Sequence, residues 1–149
     1  METLRDRHGF TLLELVVALT LTAIVAGVGV LAYQRVVEDL RLNQAARQVV
    51  LALTVARARA LADNVGHRVV FDVDDNVYQS QQQSDGRYDD DGNAVALPAG
   101  VRLTECSAVG SAVAFRPRGN ATVGTITLRN PSGRERRVKI DLAGRIRVE

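Results

Sequence analysis

The chain has 149 residues, with 19 basic and 17 acidic side chains, a net charge of +2, few aromatic residues and no tryptophan. Its single cysteine, Cys106, excludes an intramolecular disulfide framework and reads as a small, buried apolar side chain. There is no nucleotide loop, nucleophile elbow or metal-binding spacing, and only two histidines, so the pattern points away from an enzyme and from any cofactor or metal site.

Residues 1–9 are mostly polar and run into an apolar stretch over residues 10–33 whose only charge is Glu14. That stretch is long enough to span a bilayer as a helix, because ~20 residues rising about 1.5 Å each cover a ~30 Å hydrocarbon core. A carboxylate inside it costs on the order of 2.5 kcal/mol or more to insert, and so marks a partner or a function. A secretory signal peptide would have a shorter apolar core and a small-x-small cleavage site. An ordinary single-span anchor accounts for the hydropathy but leaves the string Gly9-Phe10-Thr11-Leu12-Leu13-Glu14 unexplained.

That string resembles the processing and assembly motif of type IV pilins and type II secretion pseudopilins. The resemblance implies that a prepilin peptidase cuts after Gly9, that the new N-terminal Phe10 is N-methylated, and that Glu14 is the assembly residue. Residues 1–9 are then a leader, and the chain is single-pass in the bacterial inner membrane with its head in the periplasm. Its implied partners are other pilin or pseudopilin subunits and an inner-membrane assembly platform. Elementary electrostatics agrees: an amine freed on Phe10 neutralises a carboxylate in low dielectric, either four residues along its own helix or on a neighbouring subunit.

Over residues 34–62 the helical pattern continues, with Leu42, Ala46, Val49, Leu53, Ala56 and Ala60 at spacings of three and four. One face of this half therefore packs on a head, while Arg35, Glu38, Arg41, Arg47, Arg57 and Arg59 are mostly solvated. Gly27 and Gly29 are points where the helix could bend, or where helices could pack closely. Asp63-Asn64-Val65-Gly66 supplies the stop.

From residue 63 to 149 the chain becomes short alternating segments punctuated by Gly, Pro, Asn and Asp. Strands are predicted over residues 67–73, 77–82, 101–105, 112–116, 123–129, 136–142 and 145–148. Val138, Ile140 and Leu142 alternate with Arg137, Lys139 and Asp141, which assigns the first three to the core. The expected fold class is α+β, one long N-terminal helix laid against an antiparallel β-sheet head.

Three strings in the head resemble a narrower group that includes the type II secretion pseudopilin H and the minor pilin FimT. They are Leu97-Pro98-Ala99-Gly100-Val101-Arg102-Leu103, Phe115-Arg116-Pro117-Arg118-Gly119 and Gly144-Arg145-Ile146-Arg147-Val148. Some FimT proteins are DNA receptors for natural transformation that use a G-R-x-R motif, which the resemblance carries onto Gly144, Arg145 and Arg147. If Ile146 and Val148 face the core, the two arginines share the outer face about 7 Å apart, comparable with successive phosphates. Arg134, Arg136, Arg137 and Lys139 on the preceding strand would enlarge the patch, and from Arg116 onward nine basic residues stand against three acids. The same arginines could equally be the solvated guard of an edge strand.

Asp72, Asp74, Asp75, Asp85, Asp89, Asp90 and Asp91 crowd the region opposite in charge. Their spacing does not match an EF-hand loop, so an exposed loop is expected rather than a calcium site, with charge complementarity between neighbouring subunits as a further use. The sequence as a whole reads as a minor pilin or pseudopilin of a type II secretion or type IV pilus filament. The alternative is a DNA-binding minor pilin for uptake in transformation.

Overall fold

A computed structural model describes residues 11–149, apart from the side chains of residues 28–32; Gly9 and Phe10 lie outside the described residues. One helix, α1, covers Leu12–Ala62. The chain divides into two compact units, the second being Val37–Glu149.

In the first unit α1 opens on a local cap. The backbone N–H of Glu14 donates to the Thr11 hydroxyl at 3.2 Å, which satisfies one of the free amides of the first turn. Along the apolar run the Thr20 hydroxyl donates to the Val17 carbonyl at 2.8 Å and that of Thr22 to the Ala18 carbonyl at 2.7 Å. Both hydroxyls are therefore satisfied on the helix's own backbone. Leu12, Leu13, Leu15, Leu19, Leu21 and Ile24 are exposed. Among the described residues no helix is long and apolar enough to cross a membrane.

In the second unit, Leu42, Ala46, Val49, Leu53, Ala56 and Ala60 are all buried, and Ala45 joins them. The stripe expected from spacing is the face on which the head is built. α1 ends at Ala62, and Asn64 takes a left-handed backbone with φ 54° that turns the chain into β1.

Nine strands follow: β1 His67–Asp72, β2 Val77–Ser84, β3 Arg87–Asp90, β4 Val95–Ala96, β5 Arg102–Cys106, β6 Ala112–Phe115, β7 Gly124–Arg129, β8 Glu135–Ile140 and β9 Ile146–Val148. All pairings are antiparallel, and they form two sheets instead of the single one expected: β3-β2-β1-β6, with β4 also on β2, and β5-β7-β8-β9. The break has local causes. β6 is four residues long and stops before Pro117, which has no N–H for a ladder, and Gly119 then takes φ 83°. Both sheets contribute to one continuous core, Val69, Phe71, Val113 and Phe115 from the first and Leu103, Ile126, Leu128, Val138 and Ile140 from the second.

Two expectations need correction. Leu142 does not join Val138 and Ile140 in the core; β8 ends at Ile140, and Leu142 stands 66% exposed in the following turn. The acidic segment is also not simply a loop. Arg87–Asp90 is a strand paired with β2, the Asp90 carboxylate accepts from the Gln81 amide at 2.7 Å, and Asp91 is ion-paired with Arg59 of α1. Cys106 is half-buried at the edge of the core, where burial pushes its thiol pKa up.

Candidate assembly motif and basic C-terminal face

Glu14 lies in the first turn of α1 with its amide capped by Thr11. An acidic side chain there is favoured by the helix dipole whatever else it does. The peptide bond expected to be cut, Gly9 to Phe10, lies outside the described residues, so only Glu14 of the three motif positions has a structural setting.

The C-terminal candidates have full settings, and β-strand parity sorts them. On β8, Arg137 and Lys139 share the outer face with Glu135, whereas Val138 and Ile140 point into the core. β9 pairs with β8 in the register Val138↔Val148, Lys139↔Arg147 and Ile140↔Ile146. Arg147 is therefore beside Lys139, and Arg145 is on the same side one pleat earlier. Ile146 packs against the core as expected, but Val148 is exposed.

This outer face is a mosaic of alternating charge rather than a uniform basic field. Arg137 reaches Glu135 at 3.0 Å, and Arg129 on β7 pairs with the same carboxylate. Lys139 reaches Glu149 at 2.7 Å, and Arg145 reaches Asp141 at 3.0 Å. The hydrogen bonds from Arg129 and Arg137 lower the pKa of Glu135; the backbone N–H of Arg145 does most to lower that of Asp141; Lys139 lowers that of Glu149. Of the four basic residues that share this face, Arg137 and Lys139 on β8, Arg145 just before β9 and Arg147 on it, Arg147 alone forms no ion pair among the described residues.

Arg134 and Arg136, expected in the same patch, are elsewhere. Arg134 is ion-paired with Asp39 of α1, and the Arg136 Nε donates to the Asn43 side chain at 3.0 Å. Arg136 has the parity of Val138 and Ile140, so near the start of β8 its side chain leaves on the helix side. The turn between β7 and β8 reinforces this clamp: the Asn130 amide donates to Asp39 at 3.2 Å, its side-chain oxygen accepts from the Arg134 N–H at 2.8 Å, and Ser132 bonds Glu38.

Gly144 has a structural reason that is independent of any ligand. Its φ is 72°, and a Cβ there would come within 2.5 Å of the Gly119 carbonyl oxygen and 3.2 Å of the Arg57 Nε. Arg57 donates to the Ala143 carbonyl at 3.4 Å, so the turn rests on α1. The glycine sets the turn, and the turn sets the direction in which Arg145 and Arg147 leave.

Asn76, which the sequence reading did not single out, joins the two sheets. It sits at φ 58°, its amide donates to the Val101 carbonyl at 2.9 Å, and its oxygen accepts from the Leu103 N–H at 2.8 Å. An Asn ending a two-aspartate turn was its only signal. Among the described residues no group of three His, Cys, Asp or Glu side chains could hold a metal ion.

The comparisons with known proteins divide along the same lines as the geometry. The model of the type II transport protein GspH family matches residues 45–144, and that of the prokaryotic N-terminal methylation motif matches residues 4–30. No curated protein sequence matches significantly. Among solved structures, the minor pseudopilin EpsH from the type 2 secretion system of Vibrio cholerae is similar at a TM-score of 0.63 and 18% identity, over 73% of this chain and 96% of that one. The type IV minor pilin FimU of Pseudomonas aeruginosa gives 0.60 and 18%, over 75% and 90%. Both share the helix-on-sheets fold. The GspH match takes in the buried stripe of α1 from Ala45 onward, the first sheet and the second sheet apart from β9, and ends at Gly144, so the chain belongs to the type II transport protein GspH family and carries the prokaryotic N-terminal methylation motif.

Proposed function

We propose that the protein is a minor pilin or pseudopilin, a structural subunit of a type II secretion or type IV pilus filament, and not an enzyme. One observation carries the reading: a GspH head and an N-terminal methylation motif occur on the same chain, with Glu14 of that motif in the first turn of the helix that builds the head. On this reading residues 1–9 are a leader removed by a prepilin peptidase, residues 10–33 anchor the precursor in the inner membrane, residues 34–62 are the amphipathic half of the helix, and residues 63–149 are a periplasmic head. Assembly with other pilin subunits then draws the chain into a filament. Mass spectrometry of the protein from its native membrane should find an N-terminus at Phe10 carrying one methyl group. Gly9→Ala should leave the leader in place, and an unprocessed wild-type chain would sink the proposal.

A second reading, DNA capture, is favoured by one observation: Arg147 is exposed beside Lys139 and outside any ion pair among the described residues. Its charge balance is modest, because Glu135, Asp141 and Glu149 interrupt the face. Phosphate contact by Arg145 would have to displace Asp141, so binding would be weak and steeply salt-dependent. The full chain in detergent, titrated with duplex DNA, should under this reading bind at low salt and lose binding in an Arg145→Ala/Arg147→Ala variant that keeps its fold. Equal binding by variant and wild type would remove the reading.

A further inference from the structure

Gly66, just before β1, stands at the middle of a row of residues that crosses the first sheet. The ladders that pair His67 with Gln82 and with Phe115, carried one residue further, set Gly66 between Gln83 on β2 and Arg116 just beyond β6. The Gln83 N–H donates to the Gly66 carbonyl at 2.7 Å, which closes the first of these pairs. Gln83 is in turn opposite Tyr88 on β3, and Arg116 is opposite Asn120, whose carbonyl accepts from the Arg116 N–H at 2.9 Å. Tyr88, Gln83, Arg116 and Asn120 therefore share one face of the sheet, with a glycine at the centre of their row.

A glycine within a strand row marks a place where another group approaches the backbone closely. A Cβ on Gly66 would stand 2.6 Å from the Gln83 side-chain oxygen and 3.2 Å from the Tyr88 hydroxyl, so these two polar tips lie over the glycine. They form one side of a cavity of about 580 Å³, and Arg116 and Asn120 form the other. Arg118 joins them from the turn between these two, which the Gly119 N–H closes on the Arg116 carbonyl at 2.8 Å. One row further along the face and outside the cavity, Arg68 stacks 4.1 Å from the centre of the Tyr88 ring and donates to the Gln81 side chain at 2.6 Å. That contact fixes the ring whose hydroxyl serves the site. The side chains of Gln83, Tyr88, Arg116, Arg118 and Asn120 form no hydrogen bond or ion pair among the described residues.

The donor and acceptor set selects the ligand. Arg116 and Arg118 only donate, in the forked geometry that suits a carboxylate. Gln83, Tyr88 and Asn120 each both donate and accept, as hydroxyl groups do in return. Of the lining residues Pro117 alone is aliphatic, so an apolar molecule, or a peptide end with apolar side chains, finds little to pack against. Nor does a strong positive field surround the cavity. Asp85, Arg87 and Asp89 stand exposed at the neighbouring tip of β2 and β3 and bring the local charge close to balance, which disfavours a polyanion held by its phosphates. We infer that this cavity binds a sugar acid, one hexuronate unit of an acidic glycan, with its carboxylate on Arg116 and Arg118 and its hydroxyls on Gln83, Tyr88 and Asn120. The inference goes beyond the proposed function, because it concerns the head alone and depends neither on leader cleavage nor on Glu14.

The test is calorimetric titration of the full chain, at neutral pH in a detergent without a sugar headgroup, with trigalacturonate. Saturable binding is expected, weakened about tenfold or more when the trisaccharide is replaced by its methyl ester, which keeps the hydroxyls and removes the charge. Arg116→Gln/Arg118→Gln should weaken trigalacturonate binding to a similar degree, and Arg102→Gln, on exposed β5 of the second sheet, should leave it unchanged. Gly66→Ala should also weaken it, because the new methyl group displaces the tips of Gln83 and Tyr88 from the floor. Circular dichroism checks each variant, and the ester comparison on the wild type decides the matter if a variant misfolds. No saturable binding, equal binding of the ester, or equal binding by the Arg116/Arg118 variant with its fold intact would overturn the site. Citrate or trialanine binding as tightly as trigalacturonate would overturn the sugar acid as its ligand, in favour of any small carboxylate or a peptide end.

Discussion

Phe115→Ala is expected to remove about 3–5 kcal/mol from the head, out of a total of about 5–15 kcal/mol for a domain of this size. Phe115 is fully buried at the end of β6, opposite His67 in the β1 ladder and bridged to Ala121 on its other side. It is the largest of the fully buried side chains and lies in the same core as α1 and both sheets. Truncating it removes apolar contact and leaves a cavity that the surrounding strands can only partly close. The loss should be read by proteolysis of the full chain in increasing urea, with Leu142→Ala as the comparison. Leu142 is 66% exposed, and its truncation should stay within about 0.5 kcal/mol. If the two variants shift the urea midpoint equally, Phe115 does not have the role in the core described above.

The contrast between Phe115 and Leu142 also shows what the sequence could and could not express. The helix stripe was legible because six apolar positions at helical spacing face one core, and every one of them is buried. Val138 and Ile140 were legible for the same reason at period two. Leu142 continued that alternation in sequence, but Asp141 and Gly144 form a turn through the Gly144 N–H and the Asp141 carbonyl at 2.9 Å, which ends the strand first. β3 was invisible because Arg87-Tyr88-Asp89-Asp90 has no apolar alternation; its strand state comes from the register Gln83↔Tyr88 and Gln81↔Asp90 with β2.

The basic face was legible only in part for a related reason. Strand parity correctly placed Arg137, Lys139, Arg145 and Arg147 on one side, because parity is a local property. Counting charge along the chain overstated the result, since Glu135, Asp141 and Glu149 have the same parity and meet those cations directly. Arg134 and Arg136 are taken up by Asp39 and Asn43, more than ninety residues earlier in the chain. No pattern within β8 could report those contacts.

Glu14→Ala is expected to leave cleavage and methylation at Phe10 intact and to abolish entry into filaments. On the proposed function the scissile bond precedes Phe10, so the peptidase should still meet its glycine; what the variant would then lack is the anion proposed to answer the amine created by cleavage. An ammonium left unpaired in low dielectric costs about 3–5 kcal/mol, which corresponds to a loss of roughly a hundredfold or more in incorporation. Glu14→Gln separates charge from shape. It keeps the side-chain length and the residue-14 backbone amide that donates to the Thr11 hydroxyl but removes the negative charge, so it should fail nearly as completely as alanine if the ion pair is responsible. Loss of the helix dipole interaction alone would cost only about 0.3–1 kcal/mol and would leave glutamine largely competent. The measurement is the ratio of processed subunit in sheared filaments to that left in the membrane, for the wild type and the two variants. Filament entry by Glu14→Gln at the wild-type level would make the Glu14 charge dispensable and remove the electrostatic account of assembly.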